Sequence, residues 1–326
     1  MAAFRKLDKL SGSTGWACII ALGILPLIFP SQYLIGVLTV AAIYGIWSVS
    51  WDFMSGLTGR ENFGHSLFIG IGAYAAGFIN VNYGLNPWWS LPTAMVFAGL
   101  CGLIIGFPTL RLKGPYFALA MLSAAVIIQR LMLIFWEQTG GEEGIQDITP
   151  LIKNHLHYYW LVLLILGSST ALLAWMARSR WGLILRAIKG DEATCLAAGI
   201  PITAYKIISL IISAAFAGLG GALYAHYQLQ VSPQLFAVVT SITIITMVYV
   251  GGMGTIYGPV GGALLLTLMT EGLRNFGEWR LMVYSVLLIV ILFFLPEGLI
   301  APMWKKIRSK FGKQNSISNI NNQEAL

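Results

Sequence analysis

Long apolar runs separated by short polar loops set the rhythm of this chain. They fall over 16–29, 33–54, 65–81, 88–107, 115–136, 159–177, 204–227, 237–250, 256–275 and 281–295. A helix needs roughly 20 apolar residues to cross the bilayer core, so the pattern predicts an all-α, polytopic membrane protein of about ten transmembrane or re-entrant helices. The run over 16–29 has no small-residue cleavage site and is followed at once by another run, so it reads as an uncleaved first span. Segments 65–81 and 237–250 are open to two readings, a full crossing or re-entry. The chain thus divides into a polar N-terminal segment (1–15), a membrane domain (16–302) and a basic tail (303–326), with the composition of disorder from Asn315 onward.

One polar interruption reads as structured. The stretch over 178–206 carries Arg178, Arg180, Arg186, Lys189 and Lys206 against Asp191 and Glu192. Asp191 is placed as an N-cap, Glu192 puts negative charge in the first turn, and Gly199 can end the helix before Pro201. Ala193, Leu196 and Ala197 then fall at i, i+3 and i+4 and make one small apolar face. Such a helix suits docking by another protein or lying on the bilayer surface.

Composition strengthens the membrane reading. The chain is 57% hydrophobic and only 10% charged, where a soluble domain carries roughly 25% charge. The net charge of +7 does not indicate nucleic acid, because the cations sit in short loops between apolar runs. With the N-terminus inside, most of the 20 Lys and Arg fall on one side, including Arg5, Lys6, Lys9, Arg60, Arg111, Lys113, the 178–206 cations and the tail. By the positive-inside rule that side is the cytoplasm. Lys153, Arg274 and Arg280 fall outside, with the acidic loop over 137–158. Cys18, Cys101 and Cys195 have no CxxC or His partner, so neither a disulfide frame nor a metal site is suggested.

Two glycine clusters interrupt the apolar pattern. Gly56 and Gly59 with Phe63-Gly64, and Gly251, Gly252 and Gly254 with Tyr257-Gly258, align as a weak internal repeat. Paired interruptions in corresponding halves point to discontinuous helices lining a central path; the alternative is close helix packing. Asp52 and Glu271 sit near span ends and read as interfacial anchors, the latter with Arg274 at i+3, while Arg130 lies within a span. His65 and His226 read as ordinary polar ends. No P-loop, zinc-protease or serine-hydrolase signature is present, so any use of ATP must come from another subunit.

Several stretches together resemble the membrane permease subunits of ABC importers for branched-chain amino acids. They are GLTGRENFGHSLFIGIGAYAAG (56–77), LRLKGPYFALAMLSAA (110–125), TGGEEGI (139–145), WGLILRAIKGDEATCLAAGIPITAYKIISLIISAAFAGLGGALYA (181–225) and VGGMGTIYGPVGGALL (250–265). The resemblance implies an all-α permease of the bacterial inner membrane with both termini cytoplasmic. It implies a second permease, homologous or identical, two ABC ATPase subunits that bind ATP and Mg, and a periplasmic solute-binding protein. No cofactor is implied in this chain. By the same resemblance, Arg186, Asp191, Glu192, Ala193, Ala197 and Gly199 belong to an ATPase-coupling loop (178–203), and Gly56, Gly59, Gly64, Gly251, Gly252 and Gly254 lie near the translocation path. Arg60-Glu61-Asn62 departs from the small or apolar residues usual there. The implied mechanism is alternating access driven by the partner ATPase. A net-neutral solute needs no fixed charge in the spans, which fits an amino acid and equally urea or short amides. A stand-alone secondary transporter would need mid-span carboxylates, and the positions of Asp52 and Glu271 near span ends do not supply them.

Overall fold

A computed structural model describes residues 22–26, 31–112 and 114–273. Among the described residues the chain is helical with no named strand; one isolated antiparallel bridge joins Ile145 and Val231. The main helices are α1 (Gln32–Trp51), α2 (His65–Tyr83), α3 (Pro87–Thr109), α4 (Pro115–Ile134), the short α5 (Trp136–Thr139), α6 (His155–Arg178), α7 (Arg180–Gly190), α8 (Glu192–Ala197), α9 (Ile202–Gln228), α10 (Val238–Gly251) and α11 (Gly258–Gly272). Among the described residues, five segments are long and apolar enough to cross a membrane: Gln32–Gly56, Pro87–Thr109, Pro115–Ile134, His155–Arg178 and Ile202–Gln228. The runs expected over 16–29 and 281–295, the Glu271–Arg274 pair and the basic tail lie wholly or partly outside the described residues.

The helix ends follow local chemistry. Asn86 and Asn154 cap α3 and α6 by accepting hydrogen bonds from Trp88 N (3.1 Å) and Leu156 N (2.9 Å). Pro87 and Pro115 stand at helix starts, where a missing N–H costs nothing. Gly84 closes α2 in the left-handed conformation.

The outer surface is what lipid requires. Ile104 is 71% exposed, Leu164 68% and Ile127 58%, and such side chains form a broad apolar girdle that a water-soluble bundle would bury. At the centre, α9 packs along α2 and α3, and α1 lies against α6 and α11. The α2–α9 approach is set by glycine: a Cβ on Gly72 would overlap the Gly218 backbone, and one on Gly221 would meet the Ile69 carbonyl. Without aqueous hydrophobic driving force between helices, such small-residue contacts supply the packing.

The end carrying the acidic loop is stitched by polar bonds. His226 bonds Ser90 Oγ through Nε2 (2.5 Å) and the Thr149 carbonyl through Nδ1 (2.7 Å). Asn80 Oδ1 accepts from Thr149 N (2.8 Å) and Thr149 Oγ1 (2.9 Å). Ile148 N donates to the Leu229 carbonyl (3.1 Å). His226 is therefore a buried link and not an ordinary polar end. His65 is likewise fully buried and bonds Ser50 Oγ (3.0 Å). A polar group at this depth has to be paired within the protein.

Candidate functional site

The opposite, basic end is where the predicted site residues meet. There α1 does not stop at Trp51; it widens into a π-helical turn, Asp52–Gly56. Such turns inside helices often mark functional positions. This turn delivers Asp52, fully buried, to the second glycine cluster, whose Gly254 lies 202 residues along the chain. Asp52 Oδ1 accepts from Gly254 N (2.6 Å) and Oδ2 from Ile256 N (2.8 Å). The carboxylate is thus held by backbone amides of the link between α10 and α11. The interfacial-anchor reading of Asp52 is overturned: the π turn carries it past the apparent span end into the protein.

That link has unusual backbone. Gly252, Gly254 and Ile256 all have positive φ, at 106°, 82° and 62°. Glycine adopts this freely, whereas a β-branched residue does so only when its surroundings insist. Alternating conformations point the N–H groups of residues 254 and 256 at one acceptor, which makes an anion-binding concavity. Asp52 fills it. Tight contacts hold the neighbourhood together. A Cβ on Gly56 would overlap Asp52 Oδ1 and meet Gly254 N, one on Gly64 would strike the Met121 carbonyl, and one on Gly251 the Gly258 carbonyl.

The polar segment over 178–203 folds as α7 and α8 against this junction. Asp191 caps α8 as its sequence position predicts, its side chain accepting from Ala193 N (2.9 Å) and bonding the Thr194 hydroxyl. The Thr194 bonds hold the Asp191 carboxyl below the usual range. Gly199 follows with φ 77°. Ile188 and Cys195 pack with Ile202 on the inner side. Ala193, Leu196 and Ala197 face outward, and Leu196 is 62% exposed. The small apolar face read from the spacing is therefore present and uncovered in the isolated chain.

Four side chains fasten α7 and α8 to the first glycine cluster and to α9. Lys189 Nζ donates to the Gly56 carbonyl (2.9 Å). Its stem passes Gly59, where an added Cβ would sit 3.0 Å from Lys189 Cγ. Glu192 Oε1 accepts from Arg60 Nη2 (2.8 Å) and pairs with Lys206 Nζ (2.6 Å). Lys206 belongs to α9 and is buried, not part of a loop as its sequence position suggested. Arg186 and Lys189 are the cations acting on Asp52. Each member of Arg60-Glu61-Asn62 has work here. Glu61 accepts from Tyr249 OH (2.5 Å), and Asn62 binds Gly64 N through its side chain (2.9 Å) and Trp51 Nε1 through its carbonyl (2.7 Å).

Burial raises the Glu192 pKa, but the hydrogen bond and charge of Lys206, then those of Arg60, outweigh it and hold the carboxyl below the usual value. A depressed folded-state pKa adds stability that is complete above the unfolded value and is lost as pH falls through the folded one. The clasp is therefore expected to stay intact across neutral pH and to loosen only below about pH 4, under the ordinary glutamate range. Limited proteolysis across the α7–α8 junction, measured against pH, checks this; release already at pH 6 would contradict it.

Two cavities flank the junction. The one at the basic end, about 750 Å³, is lined by Arg60, Glu61, Lys189 and Glu192 and by the apolar Phe63 and Leu122. The other, about 240 Å³, lies between α1, α9 and the start of α10, with Tyr44, Trp47, Tyr224, Gln228, Gln234 and Thr240 in its wall. Among the described residues no charged side chain lines it. Trp47 stands edge-on to Tyr44 (centroids 4.9 Å apart), and its buried indole N–H has no hydrogen-bond partner among the described residues. Trp51 and Tyr249 (6.5 Å) continue the aromatic column toward Glu61. The sequence carried this signal, since Tyr44, Trp47 and Trp51 recur at i, i+3 and i+7. Among the described residues no cluster of three His, Cys, Asp or Glu could hold a metal.

The family model for the branched-chain amino acid transport system / permease component matches residues 33–295. The high-affinity branched-chain amino acid transport system permease protein LivM of Escherichia coli (strain K12) is 29% identical, the alignment covering 90% of this chain and 77% of that protein. The probable LivM of Methanocaldococcus jannaschii is 25% identical over 83% of this chain and 96% of its own. The fructose import permease protein FrcC of Rhizobium meliloti is 25% identical over 66% of this chain and 64% of its own. No solved structure gives a significant match.

Proposed function

The chain belongs to the family of permease components of branched-chain amino acid transport systems, and from that premise we propose that it forms the membrane path of an ATP-driven importer for branched-chain amino acids. The observation that supports this most is the clasp. Lys189, Arg60, Glu192 and Lys206 tie α7 and α8 to Gly56, Arg60 and α9, directly after the π turn whose Asp52 bonds the α10–α11 link. A push on α7–α8 is thereby delivered to the junction between the two cavities. The basic end faces the cytoplasm by the positive-inside rule. There the exposed Ala193, Leu196 and Ala197 give an ATPase subunit its contact, and ATP and Mg are bound by that partner. A second permease and two ATPase subunits complete the assembly, and a periplasmic binding protein delivers solute at the acidic end.

The uncharged cavity is the solute's side of the path. Its neutral wall suits a net-neutral zwitterion. The start of α10, a helix too short to cross, points amide dipoles toward it, as half-helices do toward carboxylates in other transporters. Solute then passes the Trp51–Tyr249 column when the junction opens, in alternating access.

The test is co-reconstitution with the partner subunits in vesicles. Leucine uptake is expected with ATP and ATPase and absent from the permease alone; uphill accumulation without the ATPase overturns the proposal. Ala193→Arg with Ala197→Arg, both on the exposed face, is expected to abolish ATPase co-purification while leaving the permease inserted. Unchanged co-purification would remove α8 as the contact.

A further inference from the structure

Asp52 presents an electrostatic problem during any opening of the path. It is a fully buried carboxylate satisfied by Gly254 N and Ile256 N. The two glycine-broken segments cannot separate while those bonds stand. If they break, an ionised carboxylate is left in a low-dielectric interior without partners, which is strongly unfavourable. The opening therefore needs a replacement partner that arrives as the amides leave.

The structure holds one in place. Gly56 has no side chain, and Asp52 Oδ1 lies so close to it that a Cβ would overlap the oxygen. The carbonyl of the same Gly56 accepts from Lys189 Nζ at 2.9 Å. One glycine thus separates the ammonium from the carboxylate, and the lysine's four-carbon stem allows the change of acceptor. Lys189 sits at the end of α7, on the segment that the clasp fastens to the junction. Among the neighbouring charges, Arg186 also acts on Asp52, while Arg60 and Lys206 are committed to Glu192.

We propose that Asp52 is the latch of the inner gate, closed on the amides of Gly254 and Ile256 and open on the ammonium of Lys189. The proposal rests on the permease reading above. Displacement of α7 carries Lys189 from the Gly56 carbonyl to the carboxylate, the amides of the α10–α11 link are released, and the buried charge stays compensated throughout. Lys189 and Asp52 act as positioning residues; neither has to touch the solute.

The two ends of this exchange give opposite mutant phenotypes. Asp52→Asn keeps the shape but replaces one acceptor oxygen with a donor facing an amide. The closed state weakens, and efflux of preloaded leucine without ATP is expected to rise at least about tenfold, the scale of one lost charge-assisted hydrogen bond. Lys189→Met keeps both Asp52–amide bonds but gives up the lysine's bond to the Gly56 carbonyl and removes the open-state partner. The turnover of ATP-driven uptake is expected to fall by about tenfold or more with KM unchanged and no leak, and Lys189→Arg restores most of it. In the double variant Asp52→Asn/Lys189→Met no charge is stranded, so turnover recovers relative to Lys189→Met although the leak persists.

The experiment uses the complete transporter in vesicles, with rates normalised to inserted protein. Wild-type ATP-driven uptake is measured first, so failure of the permease reading is seen before any variant is judged. With that in hand, a tight Asp52→Asn permease, or a Lys189→Met defect that the double variant does not relieve, overturns the latch. If Asp52→Asn does not assemble, the Lys189 pair decides: wild-type turnover in Lys189→Met, or ATP hydrolysis uncoupled from uptake, overturns the proposal, and slowed turnover with uptake per ATP unchanged, rescued by Lys189→Arg, upholds it.

Discussion

Replacing Gly56 with alanine is expected to reduce transport to below about one-tenth of wild type, the consequence of forcing one methyl into a junction packed at interior density. No open space is available for it. The new Cβ would overlap Asp52 Oδ1 and press on Gly254 N, so the carboxylate and the link it holds would both have to move. The side of the latch and the side of the clasp meet at this residue, because its carbonyl also holds Lys189. Gly167→Ala, a membrane-helix glycine with nothing within 4 Å of the added carbon, is the control and should leave transport unchanged. Leucine uptake by the two variants in the assembled transporter, normalised to membrane abundance, decides it. Near-wild-type uptake by Gly56→Ala would show that the junction yields more easily than its contacts imply.

The second large effect is expected at Glu192. Removing it as Glu192→Ala leaves Lys206, whose side chain is 3% exposed, and Arg60, 11% exposed, facing one another without an anion. Losing one partner of a buried ion pair costs about 3–5 kcal/mol, and the 35% exposure of Glu192 brings the figure down to about 1–3 kcal/mol through solvent screening. That is enough to detach α7–α8 from the first glycine cluster for a large share of the time. ATP hydrolysis should then proceed with little uptake. The signature is recovery: adding Lys206→Met to Glu192→Ala removes the stranded cation and should restore part of the coupling, whereas Lys206→Met alone is harmful. A double-mutant cycle on uptake per ATP measures the interaction, and strict additivity would refute the clasp.

Most of the architecture was legible in the hydrophobic pattern. The runs over 33–54, 65–81, 88–107, 159–177 and 204–227 all fall inside observed helices, with ends shifted by a few residues where capping and proline decide them. The Asp191 cap and the Ala193–Leu196–Ala197 face were readable for the same reason: each depends on neighbours within one turn. What the sequence concealed was long-range pairing. Asp52 looked interfacial because its partners are backbone amides, which carry no side-chain signature, and because a π turn displaces it from where α-helical spacing puts it. Lys206 looked like a loop cation because charge alone was visible, while its burial depends on Glu192 arriving from α8. Arg60-Glu61-Asn62 looked like a departure in a glycine motif. Its three partners, Glu192, Tyr249 and Trp51, come from three other elements.

The separation of 202 residues between Asp52 and Gly254 also bears on how the polypeptide is made. During synthesis the first helices enter the bilayer long before the α10–α11 link leaves the ribosome. Until then the nascent chain carries a carboxylate with neither of its amide donors. It must be shielded by insertion machinery, carry a proton, or hold the segment near the lipid headgroups. Products truncated before residue 254 never gain those donors, and they should be the forms that membrane quality-control proteases clear first.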